Sequence, residues 1–318
     1  MAMRNRPIFG FAMATTLILG ACSSISSPEP EGSVPASASV PADTASPAPL
    51  PAGRLVWWGS PAGSRELAVF SANPDGSDEQ TLLAFDAQGS RWSPDGTKLS
   101  VVVESPQGLV YIGLVNPDGS GYVRFDSPDP TLQLGCFAWS PDGSRLACEG
   151  WDETDPARTG IYTVRASDGR DVIRVTTSAG SVHDIPTDYS PDGRQIVFFR
   201  EGHNGPMVVN VDGTGQRALT DQKMAGTRWS ADGTTILSDV GGALWLVPVD
   251  GSQPSPITIA DAPDGFAYGG AWSPDGNWIV FSLKVAQGNA DIYVMRKDGT
   301  DLRQITDTPL DEEYADWG

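Results

Sequence analysis

The stretch "RWSPDGTKLS", residues 91–100, sets a large aromatic before a Ser-Pro-Asp-Gly turn and then resumes with alternating side chains. Proline presets the first turn position, Asp suits the second, and Gly takes a left-handed angle that a side chain resists. This is a hairpin turn of type I with a bulge. The phrase returns as Trp139-Ser140-Pro141-Asp142-Gly143, Tyr189-Ser190-Pro191-Asp192-Gly193, Trp229-Ser230-Ala231-Asp232-Gly233 and Trp272-Ser273-Pro274-Asp275-Gly276, and Asp316-Trp317-Gly318 is a truncated sixth copy. The aromatics stand 40 to 50 residues apart, and a second Asp-Gly pair lies in each interval, at 75–76, 118–119, 168–169, 212–213, 250–251 and 298–299. A fixed period of this length signals a repeat architecture.

Between the turns, apolar residues alternate with period 2, as in Leu99 and Val101, Ile196 and Phe198, and Ile279 and Phe281. Leu109–Leu114, Ile161–Val164 and Ile292–Met295 read as third strands and Leu302–Thr306 as a fourth, so each repeat is a four-stranded antiparallel meander. A meander of about 45 residues cannot bury both faces alone, and such units pack radially into a propeller. The recurrent aromatic then anchors neighbouring blades. The expected fold is all-β, a six-bladed propeller closed by strands 54–58, 66–71 and 79–83 joining strand 313–317 in one shared blade, which leaves no open edge.

With 36 Gly and 26 Pro the 318 residues contain too much punctuation for long helices. There are 21 Lys and Arg against 40 Asp and Glu, a net charge of −19, which repels nucleic acid. Residues 1–21 read as a targeting signal, with Arg4 and Arg6 before an apolar run to Leu19 that is too short to span a bilayer. Leu19-Gly20-Ala21-Cys22 resembles the lipobox of bacterial lipoproteins. That resemblance implies a lipid on Cys22 and cleavage before it. Residues 22–52, which carry seven prolines and no aromatic residue, read as a disordered tether that reaches about 30 Å as a coil. The propeller domain is assigned to residues 53–318.

The pattern Trp-Ser-Pro-Asp-Gly, apolar strand, Ile-Tyr-Val strand, Asp-Gly turn resembles the TolB-type repeat of six-bladed β-propellers across residues 53–318. TolB itself is a soluble periplasmic protein with an α/β domain before the propeller, where this chain has a lipid signal and tether. The repeat also resembles the propeller of prolyl-oligopeptidase-like enzymes, but no Gly-x-Ser-x-Gly elbow follows. Oligogalacturonate lyases resemble the same repeat and bind metal through several histidines. Here only His183 and His203 are present, assigned to different blades.

No nucleophile with a base and an orienting group is visible, and the chain reads as a non-enzyme without cofactor or resident metal. Asp95, Asp142, Asp192, Asp232 and Asp275 are explained by turns. The clusters Trp151-Asp152-Glu153-Thr154-Asp155 and Asp311-Glu312-Glu313-Tyr314 could hold Ca²⁺ through oxygen, but lack the spacing of a known loop. Cys136 and Cys148 face each other if Ser140 faces Ser144, which favours a disulfide over two buried thiols. All turns share one face, and the loops of varied length share the other, where binding on a rigid scaffold usually resides. Trp151 is the leading candidate there, with Asp152, Glu153 and Asp155 in its acidic loop, Phe266, Tyr268 and Tyr314 as further aromatics, and His183, Asp184 and His203 as polar contacts.

The expected function is that of a monomeric, extracytoplasmic lipoprotein, attached to a bacterial cell membrane through Cys22 alone. Its propeller binds or scaffolds an envelope protein. The alternative is a propeller lyase, hydrolase or binding protein acting on envelope or extracellular saccharide.

Overall fold

The computed structural model describes residues 49–61, 67–85, 87–105, 109–178, 182–286 and 288–318. Cys22, the signal and nearly all of the tether lie outside them. Six four-stranded antiparallel sheets are present. We number the blades by chain order. Blades 1 to 5 begin with innermost strands Ala87–Trp92, Gln133–Trp139, Asp184–Tyr189, Ala225–Trp229 and Gly265–Trp272. Blade 6 combines the C-terminal strand Leu310–Trp317 with Leu55–Pro61, Ala68–Ala72 and Gln80–Leu83 from the other end of the chain. The expected closure is therefore observed, with Leu55 opposite Trp317.

The turn explains why its four residues recur. In blade 2, Ser140 Oγ donates to Asp142 Oδ1 at 2.6 Å and accepts from Arg145 N at 2.9 Å, while Ser144 N donates to Asp142 Oδ1 at 3.0 Å. Gly143 sits at φ +70°, which a Cβ would strain. The other four turns repeat this, with Ser to Asp distances of 2.6 to 2.7 Å.

Among the described residues the apolar core consists of six clusters, each drawn from two adjacent blades. Six blades share six such interfaces only when the ring is closed. The repeated aromatic fills these interfaces: Trp139 packs with Ile112 and Leu114 of blade 1, and Trp317 with Val280 and Val294 of blade 5. Trp139 Nε1 also donates to Arg91 O at 3.2 Å, and Trp272 Nε1 to Arg228 O at 3.3 Å, in each case across to the preceding blade.

Three expectations need correction. The turn places Ser140 opposite Arg145, not Ser144, because Ser140 N donates to Arg145 O at 2.9 Å. A bulge at Phe137 then shifts the register back by one residue, so Cys136 does face Cys148, and the two form a disulfide. The innermost strand is irregular in all six blades. Both histidines belong to blade 3: His183 precedes its innermost strand and accepts at its carbonyl from Glu201 N at 2.8 Å, and His203 lies in the next loop. Trp151 ends the strand Arg145–Trp151 opposite Gln133, rather than lying within a loop.

Candidate functional site

The candidate residues named from sequence fall into two groups on opposite sides of the ring. The first lies on the loop face where blades 2 and 3 meet. His183 Nδ1 makes a very short contact with Glu149 Oε1, and the Trp151 ring lies 6.2 Å from the imidazole, tilted by 58°. Glu149 is 5% exposed and sits mid-strand between apolar residues. Burial pushes its carboxyl up, and the His183 contact opposes that shift. Beside it Asp184, fully buried, receives Arg200 Nε and Nη2 at 2.7 and 2.9 Å and Thr176 Oγ1 at 2.7 Å.

The acidic loop after Trp151 is built by its own carboxylates. Asp152 Oδ1 accepts from Thr154 N and Oγ1 at 2.8 and 2.6 Å, and these bonds hold its carboxyl well below the usual range. Arg158 spans Asp152 at 2.7 Å and Asp129 of the incoming link at 2.6 Å. Asp155 caps the short helix Pro156–Arg158 through Ala157 N, while Glu153 is exposed. Asp152 and Asp155 thus serve the loop, and Glu153 projects from it.

The second group lies where blades 5 and 6 meet, midway along the innermost strands and not at the rim. Tyr268 OH donates to Glu313 Oε1 at 2.7 Å, Tyr268 and Tyr314 meet edge to face at 5.8 Å, and Trp58 stacks on Tyr314 at 5.5 Å. Tyr314 occupies the strand bulge at φ +53°, with its N–H donating to Ser282 Oγ at 3.1 Å. Nearby, burial pushes Asp239 up to about 7 against a 3.1 Å bond from Gly269 N. The neighbouring carboxylates diverge: Asp311 takes Lys284 Nζ at 2.8 Å and Glu312 takes Trp57 Nε1 at 3.3 Å. Among the described residues no group of three or more His, Cys, Asp or Glu side chains converges as a metal site. Phe266 stays 55% exposed with its ring over Gly242, and His203 Nδ1 bonds within its own loop to Gly205.

Sequence reasoning missed a third feature, a charged ring around the axis. The residue before each repeat aromatic is Arg91, Ala138, Asp188, Arg228, Ala271 and Asp316 in blade order. The series Arg-Ala-Asp occurs twice, so like residues oppose each other across the ring. Their bonds repeat as well. Asp316 Oδ2 accepts from Trp92 N at 2.9 Å and Asp188 Oδ2 from Trp229 N at 2.7 Å, each in the next blade. Arg91 Nη1 donates to Ser90 O, and Arg228 Nη1 to Thr227 O, both at 2.7 Å. Burial, reinforced by the charge of Asp316 across the channel, pushes Asp188 up to about 7, while Arg91 opposes it. Asp316 is also raised by burial, and Arg91 is lowered by it. The ring is nominally neutral, and each carboxylate clasps the neighbouring blade.

No family model matches the sequence. Among curated proteins, 167 residues are 27% identical to an uncharacterised peptidase, YuxL, of Bacillus subtilis, covering 49% of this chain and 23% of that protein. An uncharacterised protein of Agrobacterium fabrum is 24% identical over 208 residues, 59% of this chain and 67% of its own length. The Tol-Pal system protein TolB of Anaeromyxobacter dehalogenans is 30% identical over 132 residues, 39% of this chain and 29% of that protein. The matches therefore span less than a third of two of these three relatives. Among solved structures, TolB from Acinetobacter baumannii superimposes with a TM-score of 0.66 at 18% identity, over 83% of this chain and 66% of the other. A putative TolB from Agrobacterium tumefaciens gives 0.59 at 18%, over 84% and 99%. An oligogalacturonate lyase in complex with manganese gives 0.53 at 15%, over 80% and 74%. Repeat pattern, closed ring and structural likeness agree that the chain carries a TolB-like six-bladed β-propeller.

Proposed function

We propose that this chain is a protein-binding module of the bacterial cell envelope, held to the membrane by lipid on Cys22, and that its partner docks on the loop face at blades 2 and 3. The observation that carries the reading is the grouping of Trp151, His183 and Glu149 at that interface, beside a loop braced by Arg158 between Asp129 and Asp152. A half-buried Trp on a rigid rim is the kind of anchor that dominates protein interfaces. The Cys136–Cys148 disulfide suits an oxidising, exported compartment, and the likeness to TolB supports an envelope setting.

The test is a pull-down from envelope extract with the lipid-free chain. Trp151→Ala and Glu153→Lys should each weaken capture of a stoichiometric partner, and charge changes at Ser120 or Thr300 on the turn face should not. The reverse pattern would refute the docking face. Labelled fatty acid should enter the full chain and be lost in Cys22→Ala; label persisting in that variant would refute the anchor.

The His183–Glu149 pair favours a second reading, an enzyme on envelope or extracellular saccharide, because a carboxylate on Nδ1 orients an imidazole for proton transfer. Saccharide cleavage that disappears in both His183→Gln and Glu149→Gln would favour it over the binding module.

A further inference from the structure

The turn face carries a cleft of about 610 Å³ between blades 1 and 2, whose apolar lining is Pro94, Leu114, Val123, Phe125, Trp139 and Pro141, beside the polar Asp95, Lys98 and Asp142. Its floor is the inter-blade Trp139, and Val123 on its wall is 50% exposed. The corresponding aromatics of the other blades occupy the same place in the repeat. Two of these aromatics have the chain itself lying against them. At blades 6 and 1, Gly318 lies so close over Trp92 that a Cβ there would fall 2.2 Å from the ring Cγ. At blades 5 and 6, Gly53 lies against Trp317, where a Cβ would fall 3.0 Å from Nε1, and Leu50 packs on the cluster containing Trp317, Trp278 and Val294. Leu50 stands between Pro49 and Pro51. A short, uncharged, proline-flanked leucine is thus the chemistry that this molecule already packs against an inter-blade cluster holding such an aromatic.

From this internal precedent we infer that the cleft over Trp139 is a docking site for an extended Pro-Leu-Pro type segment of a partner protein. The residue differences support the inference. At blades 5 and 6, Arg303 stacks on Trp278 at 4.9 Å beside the cluster that Leu50 packs against. The corresponding positions in blade 1 are the shorter Val123 and Lys98, and Lys98 Nζ is drawn aside to Asn116. The cleft therefore offers apolar walls to a leucine side chain. Proline restricts the free segment to extended forms, which lowers the ordering cost of binding. This surface lies on the face opposite the Trp151 rim.

The probe is a fluorescein-labelled peptide of residues 46–53, Ser-Pro-Ala-Pro-Leu-Pro-Ala-Gly, with a photo-crosslinking group beside the leucine. It is titrated into the full lipid-free chain. Saturable 1:1 binding, cross-links within residues 93–98 or 139–143, and a loss of about tenfold in Val123→Glu are expected, the last because a charge replaces a buried apolar contact. Trp151→Ala should leave peptide binding unchanged, so that failure here and failure of the loop-face proposal are read separately. A peptide with Ser in place of the leucine should bind at least about tenfold more weakly. Cross-links at Trp317 would show exchange with the chain's own segment and overturn the assignment. So would full affinity in Val123→Glu, or the absence of saturation at millimolar peptide.

Discussion

Blades 2 and 6 form the same seam between first and second strands by opposite means. In blade 2 the strands Gln133–Trp139 and Arg145–Trp151 are joined by a tight turn and by the Cys136–Cys148 disulfide, 12 residues apart. In blade 6 the two strands come from opposite ends of the chain. Where the turn would be, Arg54 N donates to Gly318 O at 2.6 Å and Gly318 N to Arg54 O at 3.0 Å. Arg54 is further fixed by Asp78 at 2.8 Å and Ser71 at 3.0 Å, and Trp57 reaches Glu312, 255 residues away. Lengthening the closed loop from 12 to 255 residues adds only about 3 kcal/mol of closure entropy. Buried Leu55, Trp57 and Trp317 contribute roughly 1.5–3 kcal/mol each, so packing offsets that cost without a covalent link. The seam is specified by what it buries, not by how the chain is joined.

The sharpest way to break this comparison is to delete residues 310–318. The deletion removes Ala315 and Trp317 from their cluster and uncovers Leu55 and Trp57. We expect a loss of about 5–10 kcal/mol, enough to abolish a cooperative urea transition followed by circular dichroism. A truncated chain that melts at the parent temperature would show that the ring does not need the sixth seam. Next in size, Cys136→Ser with Cys148→Ser should cost about 2–3 kcal/mol by urea denaturation. Denatured, unreduced protein should show no reactive thiol from these two positions, and two would remove the covalent half of the comparison.

A smaller effect tests the clasp between blades 3 and 4. Asp188 is raised to about 7, so in the folded state it binds a proton that an unfolded carboxylate releases near 4. Its favourable contribution is fully present below pH 4 and is lost as pH rises through 7. Asp188→Asn should therefore flatten a decline in melting temperature between pH 5 and 8, and an unchanged slope would place the titration elsewhere. Asp142 has the opposite sign. The hydroxyl of Ser140, with the N–H and hydroxyl of Ser144, holds it down to about 2, so its contribution is present above pH 4 and lost as pH falls through 2. Asp142→Ala should slightly lower the melting temperature at pH 5 and leave it nearly unaltered at pH 2. Equal losses at both pH values would mean that the turn is held by its backbone alone.

The fold was legible because its information is local. Ser, Pro, Asp and Gly each satisfy a separate demand of one turn, and six copies announce six blades. The innermost-strand bulges are only partly legible: Gly89, Gly226 and Gly269 mark three of them at positive φ, but Phe137, Thr187 and Tyr314-Ala315 mark the others without a glycine. The disulfide pairing is legible only because two one-residue offsets, at the turn and at Phe137, cancel. Tyr268 and Tyr314 lie mid-strand rather than at the rim; the Gly269-Gly270 pair after Tyr268 is a bulge signal, whereas Tyr314 takes its positive φ with no glycine beside it. Trp151 and His183 do meet, as two bulky polar-edged residues on one face, but Glu149 was overlooked within an apolar strand. A lone carboxylate in "LACEGW" was the available signal. The Arg-Ala-Asp series appears only when the copies are aligned on the aromatic and read one position earlier.

The meeting of Arg54 with Gly318 also sets an orientation. Leu55 pairs with Trp317 at the turn end of the innermost strand, so the chain enters the ring from the turn face. A grip on any residue upstream of Arg54 therefore acts like a stalk fixed to the underside of a dish. The surface carrying Trp151 and His183 is the upper side, turned away from Arg54 and Gly318, and the cleft over Trp139 opens on their side.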